Sequence, residues 1–380
     1  MPWKAKGGNR YGYSFSGIPE LTGKYPALAF GEKILGPYFH THFSLQAEGE
    51  LPPPPFLLIA NHLSALDPFF IDALSPYPIV WVANRLIFEH PLLGPLIRAM
   101  DAIPKRKAIP DGRAVRGILR VLGMGGVVGL FPEGAIPWDG VSQEVAPGTE
   151  ELLHTLQVPV VLARIQGAWM RKPLWADHSR EGPVSIRFTP LSRYAPFSLR
   201  HSEWEWQRER RIPFYGGKKA EGFERVMLFC PVCQTFRSIV ARGNMLRCLS
   251  CRLKWGIDAY GFIDGLTQEE FLKGQENLLA SWLDDVHRIP LSRALIVERT
   301  YPEGILRGFS LGSVVVEKEG LRLQNEFFPF THLRGANTFL KKVFEFTFQK
   351  RIIRIHTAKD AFLLLQLAKL KKAQTSCAPV

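Results

Sequence analysis

The sequence predicts an α/β fold: one domain with a mostly parallel or mixed sheet flanked by helices, then a small cysteine-paired segment, then a small antiparallel β domain closed by one helix. Three observations carry this expectation. Between positions 56 and 191 short apolar runs alternate with helical stretches, the pattern of an α/β domain. Four of the five cysteines form two CxxC pairs, "CPVC" at 230–233 and "CLSC" at 248–251. Toward the C-terminus, "KVFEFTFQKRIIRIH" sets Phe344, Phe346 and Phe348 against Glu345, Thr347 and Gln349, the two-residue period of a half-buried strand.

At 380 residues the chain is too long for one compact core. Residues 1–50 read as an N-terminal membrane-proximal segment, with "YPALAFGEKILGPYF" a short amphipathic helix. Residues 51–199 hold the α/β domain. Its strands are "FLLIA", "IVWVA", "VVGLF", "VPVVLARI" and "VSIRFTPL"; its helices are "DPFFIDAL", "HPLLGPLIRAM" and "DGRAVRGILRVLG". The stretch 200–225, charged on both sides of a Gly-Gly break, reads as a linker, with a short helix within it as the alternative. The cysteine segment occupies 226–262. A helical connector at 263–289 opens with Thr267 and Glu270 at capping-box spacing. The β domain fills 290–380, with "SVVVEKEGLRLQ" a hairpin turning at Glu319-Gly320 and "KDAFLLLQLAKLKKA" the closing helix. This last region loosely resembles a pleckstrin-homology-like fold.

The net charge is +13, with a sequence pI of about 9.6. Such a balance favours an anionic partner: nucleic acid, an acidic membrane surface or a phosphorylated substrate. No apolar run approaches the roughly 18 residues of a spanning helix, and "MPWKAKGGNRYGYSF" lacks a signal-peptide core. The expected location is cytoplasmic, peripheral on the inner face of the membrane.

The stretch "IANHLSALDPFF" places His62 and Asp67 at the end of an apolar strand run. On one continuous helix that spacing would put them about 140° apart. With His62 in the strand-to-helix loop and Asp67 in the first helical turns, the carboxylate can turn back to one ring nitrogen. The tautomer is then fixed and the other nitrogen is left as a base. The plainer alternative is that Asp67 only caps a helix with Pro68 at its first position. A second strand run, "VVGLF", ends in "FPEG" at 131–134, which by itself is a turn.

Taken together these stretches resemble the glycerolipid acyltransferase family, the 1-acylglycerol-3-phosphate and lysophospholipid acyltransferases. "NHLSALD" is similar to that family's NHxSxxD block and "FPEG" to its FPEG block. "VANRLIFEHPLLGPLIRAMDAIPKRK" is similar to the segment leading into its second block, and "QVPVVLARIQG", with Pro159, to its fourth. The resemblance spans about 25–195. It implies transfer of a fatty acyl group from acyl-CoA or acyl carrier protein to a glycerolipid hydroxyl, 1-acylglycerol-3-phosphate first among the acceptors, with no catalytic cofactor. His62 would be the general base, oriented by Asp67. Glu133 and Gly134 would be acceptor-binding positions, and Lys105, Arg106 and Lys107 would meet the acceptor phosphate. Direct transfer needs no enzyme nucleophile, although Ser64 lies inside the block. The sequence departs from the family pattern twice. Asp101 and Lys107 stand at the ends of the second block, where Gly and Arg are usual. Ala135-Ile136-Pro137 follows the FPEG turn in place of Thr-Arg-Ser, which leaves another lysophospholipid or a glycolipid open as acceptor. Arg113, Arg116 and Arg120 form a further basic group that reads as a solvated helix face opposite Val115, Ile118, Leu119 and Leu122.

Cys230, Cys233, Cys248 and Cys251 can give four thiolates to one tetrahedral zinc ion. A four-thiolate site has no open position, so its expected role is structural. Cys377 stands alone. Zinc ribbons also occur in nucleic-acid binders, so the rival expectation is a nucleic-acid-binding ribbon joined to a degenerate acyltransferase domain. The modest basic content of the ribbon argues against nucleic acid as a partner. The expected partners are a lysolipid acceptor, the acyl donor and an anionic membrane surface, the last met by Lys341, Lys342, Lys350, Arg351 and Arg354 in the β domain.

Overall fold

The computed structural model describes residues 38–89, 93–106, 111–192, 198–285, 288–291, 293–301 and 304–376. Lys107, Cys377 and nearly all of the expected N-terminal helix lie outside them. The chain forms two compact units, one of residues 1–171 and 181–212, the other of 172–180 and 213–380.

The first unit is a mixed α/β layer structure. Its elements are β1 (Leu45–Glu48), β2 (Phe56–Ala60), α1 (Asp67–Leu74), β3 (Ile79–Asn84), α2 (Leu93–Ala99), β4 (Ile103–Lys105), α3 (Gly112–Gly123), β5 (Val127–Leu130), α4 (Thr149–Thr155), β6 (Val160–Gln166), α5 (Ala168–Arg171), β7 (Val184–Leu191) and α6 (Glu203–Arg210). The seven strands lie in the order β1-β7-β6-β2-β5-β3-β4. The run from β6 to β4 is parallel, and β7 closes antiparallel on β6. Every residue of β2 and β5 is buried, as expected for central parallel strands covered on both faces. One face packs Leu57, Ile59, Val80, Val128 and Leu130 against Ala114, Ile118, Val121 and Leu122 of α3. The buried face of α3 is therefore turned from the one expected: Val115 is exposed, and Arg113, Arg116 and Arg120 face solvent.

The stretch 200–225 holds the short helix named as the alternative there, and that helix is buried rather than part of a free linker. Ser202 caps α6, accepting the N–H groups of Trp204 and Glu205. Glu203, Trp204, Trp206 and Gln207 are buried. The Glu203 carboxylate accepts the Gly167 N–H at 2.9 Å and faces His201 Nε2 at 2.8 Å. Charged residues in "EWEWQRER" hide the helix's burial, because the buried carboxylate is fully hydrogen-bonded.

The second unit begins with a three-stranded antiparallel sheet of β8 (Ile239–Arg242), β9 (Met245–Cys248) and β10 (Lys254–Gly256). Helices α7 (Gln268–Phe271) and α8 (Gln275–Asp285) follow, with the expected Thr267–Glu270 capping box in place. Nine further strands are β11 (Ile289–Pro290), β12 (Ala294–Thr300), β13 (Leu306–Gly312), β14 (Val314–Glu317), β15 (Gly320–Leu323), β16 (Glu326–Pro329), β17 (Arg334–Phe339), β18 (Val343–Phe348) and β19 (Arg351–His356). They form two antiparallel sheets, β11-β14-β15-β16 and β13-β12-β19-β18-β17, closed by α9 (Ala361–Ser376). The ribbon, connector and β strands share this unit for identifiable reasons. The Gln275 amide exchanges hydrogen bonds with the Phe229 backbone at 2.9 and 2.8 Å. Trp282 packs on Phe236 at 4.3 Å, and Arg237 pairs with Asp360. Segment 172–180 belongs here as well: Trp175 Nε1 donates to Gln268 at 2.8 Å, and Asp177 accepts from Arg225 and Lys341.

Candidate functional site

Strand β2 leaves the sheet at Ala60, and Asn61 pins the exit. Its side chain donates to Ile165 O at 2.9 Å and accepts Ile165 N–H at 2.7 Å. The loop that follows folds around one carboxylate. Asp67 opens α1, and its Oδ2 accepts the N–H groups of Leu63 at 2.6 Å and Ser64 at 2.8 Å. The same oxygen faces His62 Nδ1 at 2.9 Å. Asp67 is fully buried; burial pushes its carboxyl pKa up, while His62 and the two N–H groups pull against that. An acceptor at Nδ1 holds the imidazole proton there, so the lone pair sits on Nε2. The His62 side chain keeps 19% exposure, which leaves that nitrogen reachable. Asp67 is not the cap of α1: Leu66 stands at the N-cap without a side-chain hydrogen bond, Asp67 is the first helical residue, and its carboxylate instead gathers the preceding loop and the histidine ring.

Strand β5, next to β2, delivers the FPEG turn at the same end of the sheet. Gly134 N–H returns to Phe131 O at 3.1 Å, with Gly134 at φ +66, the left-handed region that favours glycine. Phe131 stacks on His62, centroids 4.3 Å apart and planes 23° apart. Its other neighbour is Trp81, stacked at 5.0 Å and 10°. The Trp81 indole N–H is held by Asp72 at 2.9 and 3.1 Å. Gly129 lets this stack form, since a Cβ there would lie 2.4 Å from the Trp81 ring. The isolated glycine inside "VVGLF" was the sequence's signal of such a close approach; Trp81, Asp72 and Phe131 carried no signal of their own.

Glu133 is buried, and both its oxygens receive backbone N–H groups: His62 N at 3.3 Å and Gln143 N at 2.8 Å. Burial lifts its pKa to about 8 against those hydrogen bonds. Its bonds therefore tie the FPEG turn to the histidine loop, a role the expectation of an acceptor ligand did not include.

The basic group sits at the same end of the sheet, on β4. Three strand spacings of about 4.8 Å separate β4 from β2, roughly 14 Å laterally. Lys105 ends β4, and burial lowers its pKa while Asp111 raises it. Arg106 is tied to Asp111 by its backbone N–H at 2.9 Å and its Nε at 3.3 Å. Asp111 also accepts the N–H groups of Arg113 and Ala114, capping α3.

The cysteines build a separate site in the second unit. Two loops fold alike: Cys230 N–H bonds Thr235 O and Cys248 N–H bonds Leu253 O, while Gln234 N–H returns to Cys230 O and Arg252 N–H to Cys248 O. Gln234 and Arg252 both take left-handed φ, +57 and +69. Cys230 and Cys251 sulfurs lie 3.7 Å apart, Cys233 and Cys248 sulfurs 3.6 Å, and all four fall within 4.8 Å of one another. A tetrahedron of Zn–S bonds near 2.3 Å has edges of about 3.8 Å, so the donor set fits zinc.

Residues 43–165 match the family model described as Acyltransferase. Among curated proteins, the 1-acyl-sn-glycerol-3-phosphate acyltransferase of Limnanthes alba is 27% identical over 140 residues, covering 35% of this chain and 49% of that protein. The Bacillus subtilis protein of the same name is 23% identical over 121 residues, covering 32% of this chain and 60% of that one. The chain thus spans about half the length of the Limnanthes relative. Among solved structures, the 1-acyl-sn-glycerophosphate acyltransferase of Thermotoga maritima aligns at 24% identity and a TM-score of 0.40, over 50% of this chain and 77% of that one. The span that matches the Acyltransferase model contains the His62–Asp67 loop, the basic β4 end and the FPEG turn that closes on the histidine, so the likeness to these acyltransferases falls on the stretch that builds this site.

Proposed function

We propose that this protein moves a fatty acyl group from a thioester, acyl-CoA or acyl carrier protein, to the free hydroxyl of a lysophospholipid, 1-acylglycerol-3-phosphate being the first candidate. The observation that carries the reading is the His62 ring, held at Nδ1 by Asp67 at 2.9 Å with Nε2 reachable. The acceptor O–H gives its proton to Nε2 as the oxygen attacks the thioester carbonyl carbon. The tetrahedral intermediate expels the thiolate, and the imidazolium returns the proton to that sulfur. The Ser64 hydroxyl accepts the Leu66 N–H at 3.2 Å, and the proposed route is direct transfer, in which it takes no covalent part. The face of Phe131 against the ring favours the imidazolium formed midway. Lys105, partly desolvated, has Asp111 as a charge neighbour and gains a second anionic partner when the acceptor phosphate arrives; Arg106 and Lys107 complete the basic edge.

The four-cysteine site is proposed to hold one structural zinc through Cys230, Cys233, Cys248 and Cys251. Four thiolates saturate a tetrahedral ion, so the metal would fix the ribbon and take no part in acyl transfer. The protein is proposed to act at a bilayer without crossing it: no helix among the described residues is long and apolar enough to span one.

The test is a panel of lysolipids (lysophosphatidic acid, lysophosphatidylcholine, lysophosphatidylglycerol, a monoacyl glycolipid) offered with labelled acyl-CoA or acyl carrier protein, products read by mass. The reading expects diacyl product, with the phosphomonoester acceptor preferred. Failure of every acceptor with both donors would remove it.

A further inference from the structure

The hairpin of β12 and β13 exposes more apolar surface than a small β domain needs. Ile305 is 63% exposed, Leu306 49%, Phe309 73%, Leu311 60% and Leu295 38%. Pairing makes them contiguous: Leu295 lies opposite Leu311 and Val297 opposite Phe309 on one face. Isolated exposed apolar residues are ordinary, but a continuous group of this kind marks an interaction surface.

We propose that this hairpin face is where the protein docks on an anionic lipid bilayer. The choice of a bilayer rests on the reaction proposed above, whose acceptor keeps its acyl chain in a membrane. Two observations support it independently. The first is charge. Arg293 at one end of β13 is exposed, its guanidinium 3.5 Å from Leu311 O. At the other end exposed Lys350 lies beside the turn, its carbonyl accepting Tyr301 N–H at 3.0 Å. An apolar strip with a cation at each end matches acyl chains under anionic headgroups. Glu303, in the same turn, lies outside the described residues.

The second observation concerns the competing occupant, a strand from another copy. β13 is an edge of its sheet, which invites pairing. At one end of that edge, however, the Arg293 guanidinium sits 3.5 Å from the backbone oxygen of Leu311 and sets a charge where an added strand would approach. A cleft of about 370 Å³ at the hairpin is lined by polar and apolar groups together, Glu298, Arg307 and Glu326 with Ile296, Phe309 and Phe328, and Arg307 in the bulge pairs with Glu298 at 3.3 Å.

This relocates the membrane contact expected from the sequence. Of the five cations named there, Lys341 is paired to Asp177, Arg351 to Glu298 and Glu326, and Arg354 to Glu345. Lys342 and Lys350 remain exposed.

The test uses the full chain with sedimenting vesicles of phosphatidylcholine alone or with one-third phosphatidylglycerol. The wild type should partition more strongly onto the anionic vesicles. Phe309→Ser with Leu311→Ser should lower that partition by about 10- to 100-fold, with an unchanged melting temperature because both side chains are exposed. Arg293→Glu with Lys350→Glu should abolish the preference for anionic vesicles and its salt dependence. Acylation of a water-soluble, short-chain lysolipid should survive in all these variants, while acylation of bilayer-held acceptor falls with partition. Vesicle binding without acylation by the wild type would defeat the proposed reaction and leave the docking surface standing. Unchanged partition in the hairpin variants would overturn the docking surface whatever the activity. So would a wild-type dimer in sedimentation equilibrium that Phe309→Ser dissolves while leaving vesicle binding intact.

Discussion

At the residue scale, the site depends on buried carboxylates given different jobs by their surroundings. Asp67 turns one oxygen to the histidine and two N–H groups. Glu133 spends both oxygens on backbone and is lifted to about 8 by burial. A carboxyl raised above its unfolded value binds its proton more tightly when folded. Its contribution to stability is full below about 4.5 and is lost as pH rises through about 8. Melting temperatures of wild type and Glu133→Gln from pH 5 to 9 check this. The wild type should lose stability relative to the variant as pH rises; a constant gap would remove the claim. Lys105 bears a different prediction. Lys105→Gln deletes a partly desolvated cation at the β4 end, so KM for a phosphorylated acceptor should rise about tenfold, the scale of one charge-assisted contact. KM for the acyl donor should change little. Equal rises for both substrates would show that Lys105 does not meet the acceptor phosphate.

At the element scale, two adjacent parallel strands put two loops side by side, and packing sets the loops against each other. The stack His62–Phe131–Trp81 crosses β2, β5 and β3, and it exists because residue 129 is glycine. Gly129→Ala must displace the Trp81 ring. It should destabilise the unit by about 1–3 kcal/mol in denaturant titrations and lower kcat through a displaced Phe131. Full activity in a variant destabilised by that amount would mean that the stack does not position His62. Strand β2, α1 and β7 were legible to the residue, because Pro, Asp-Pro or Gly-Pro punctuation precedes or opens each one and β7 alternates Val184, Ile186 and Phe188 with polar residues. β1 and β4 were not: "LQAE" and "IPK" are too short for any period to register. The burial of α6 was not legible, because its Glu203 looks solvent-exposed in sequence. β13 was missed because glycines interrupt its apolar residues and those residues face outward. The single run "KVFEFTFQKRIIRIH" is two strands, joined where Gln349 adopts a φ of +52.

At the scale of the whole molecule, each unit carries one motif set that sequence spacing reveals, because each set is local. His62–Asp67, the FPEG turn and the two CxxC loops all lie within a few residues of chain. What spacing could not reveal is the long-range part: Glu133 bonding His62, Phe131 on the imidazole, Gln275 holding the ribbon. Those contacts depend on strand order, which no local pattern encodes. For the ribbon the account predicts one zinc per chain by elemental analysis, lost in Cys233→Ser with Cys251→Ser. Chelation should lower the melting temperature of the second unit, since metal binding and folding are coupled in such sites. Native protein without zinc, or indifferent to chelation, would remove the metal assignment.

The central claim is that the His62 imidazole removes the acceptor proton during acyl transfer. The most direct measurement is single-turnover acyl transfer to lysophosphatidic acid by wild type and His62→Ala, with thermal unfolding and lipid binding followed on the same samples. The account predicts a loss of about 10²–10⁴-fold in rate, with melting temperature and lipid binding held. Near-wild-type turnover by His62→Ala would contradict it.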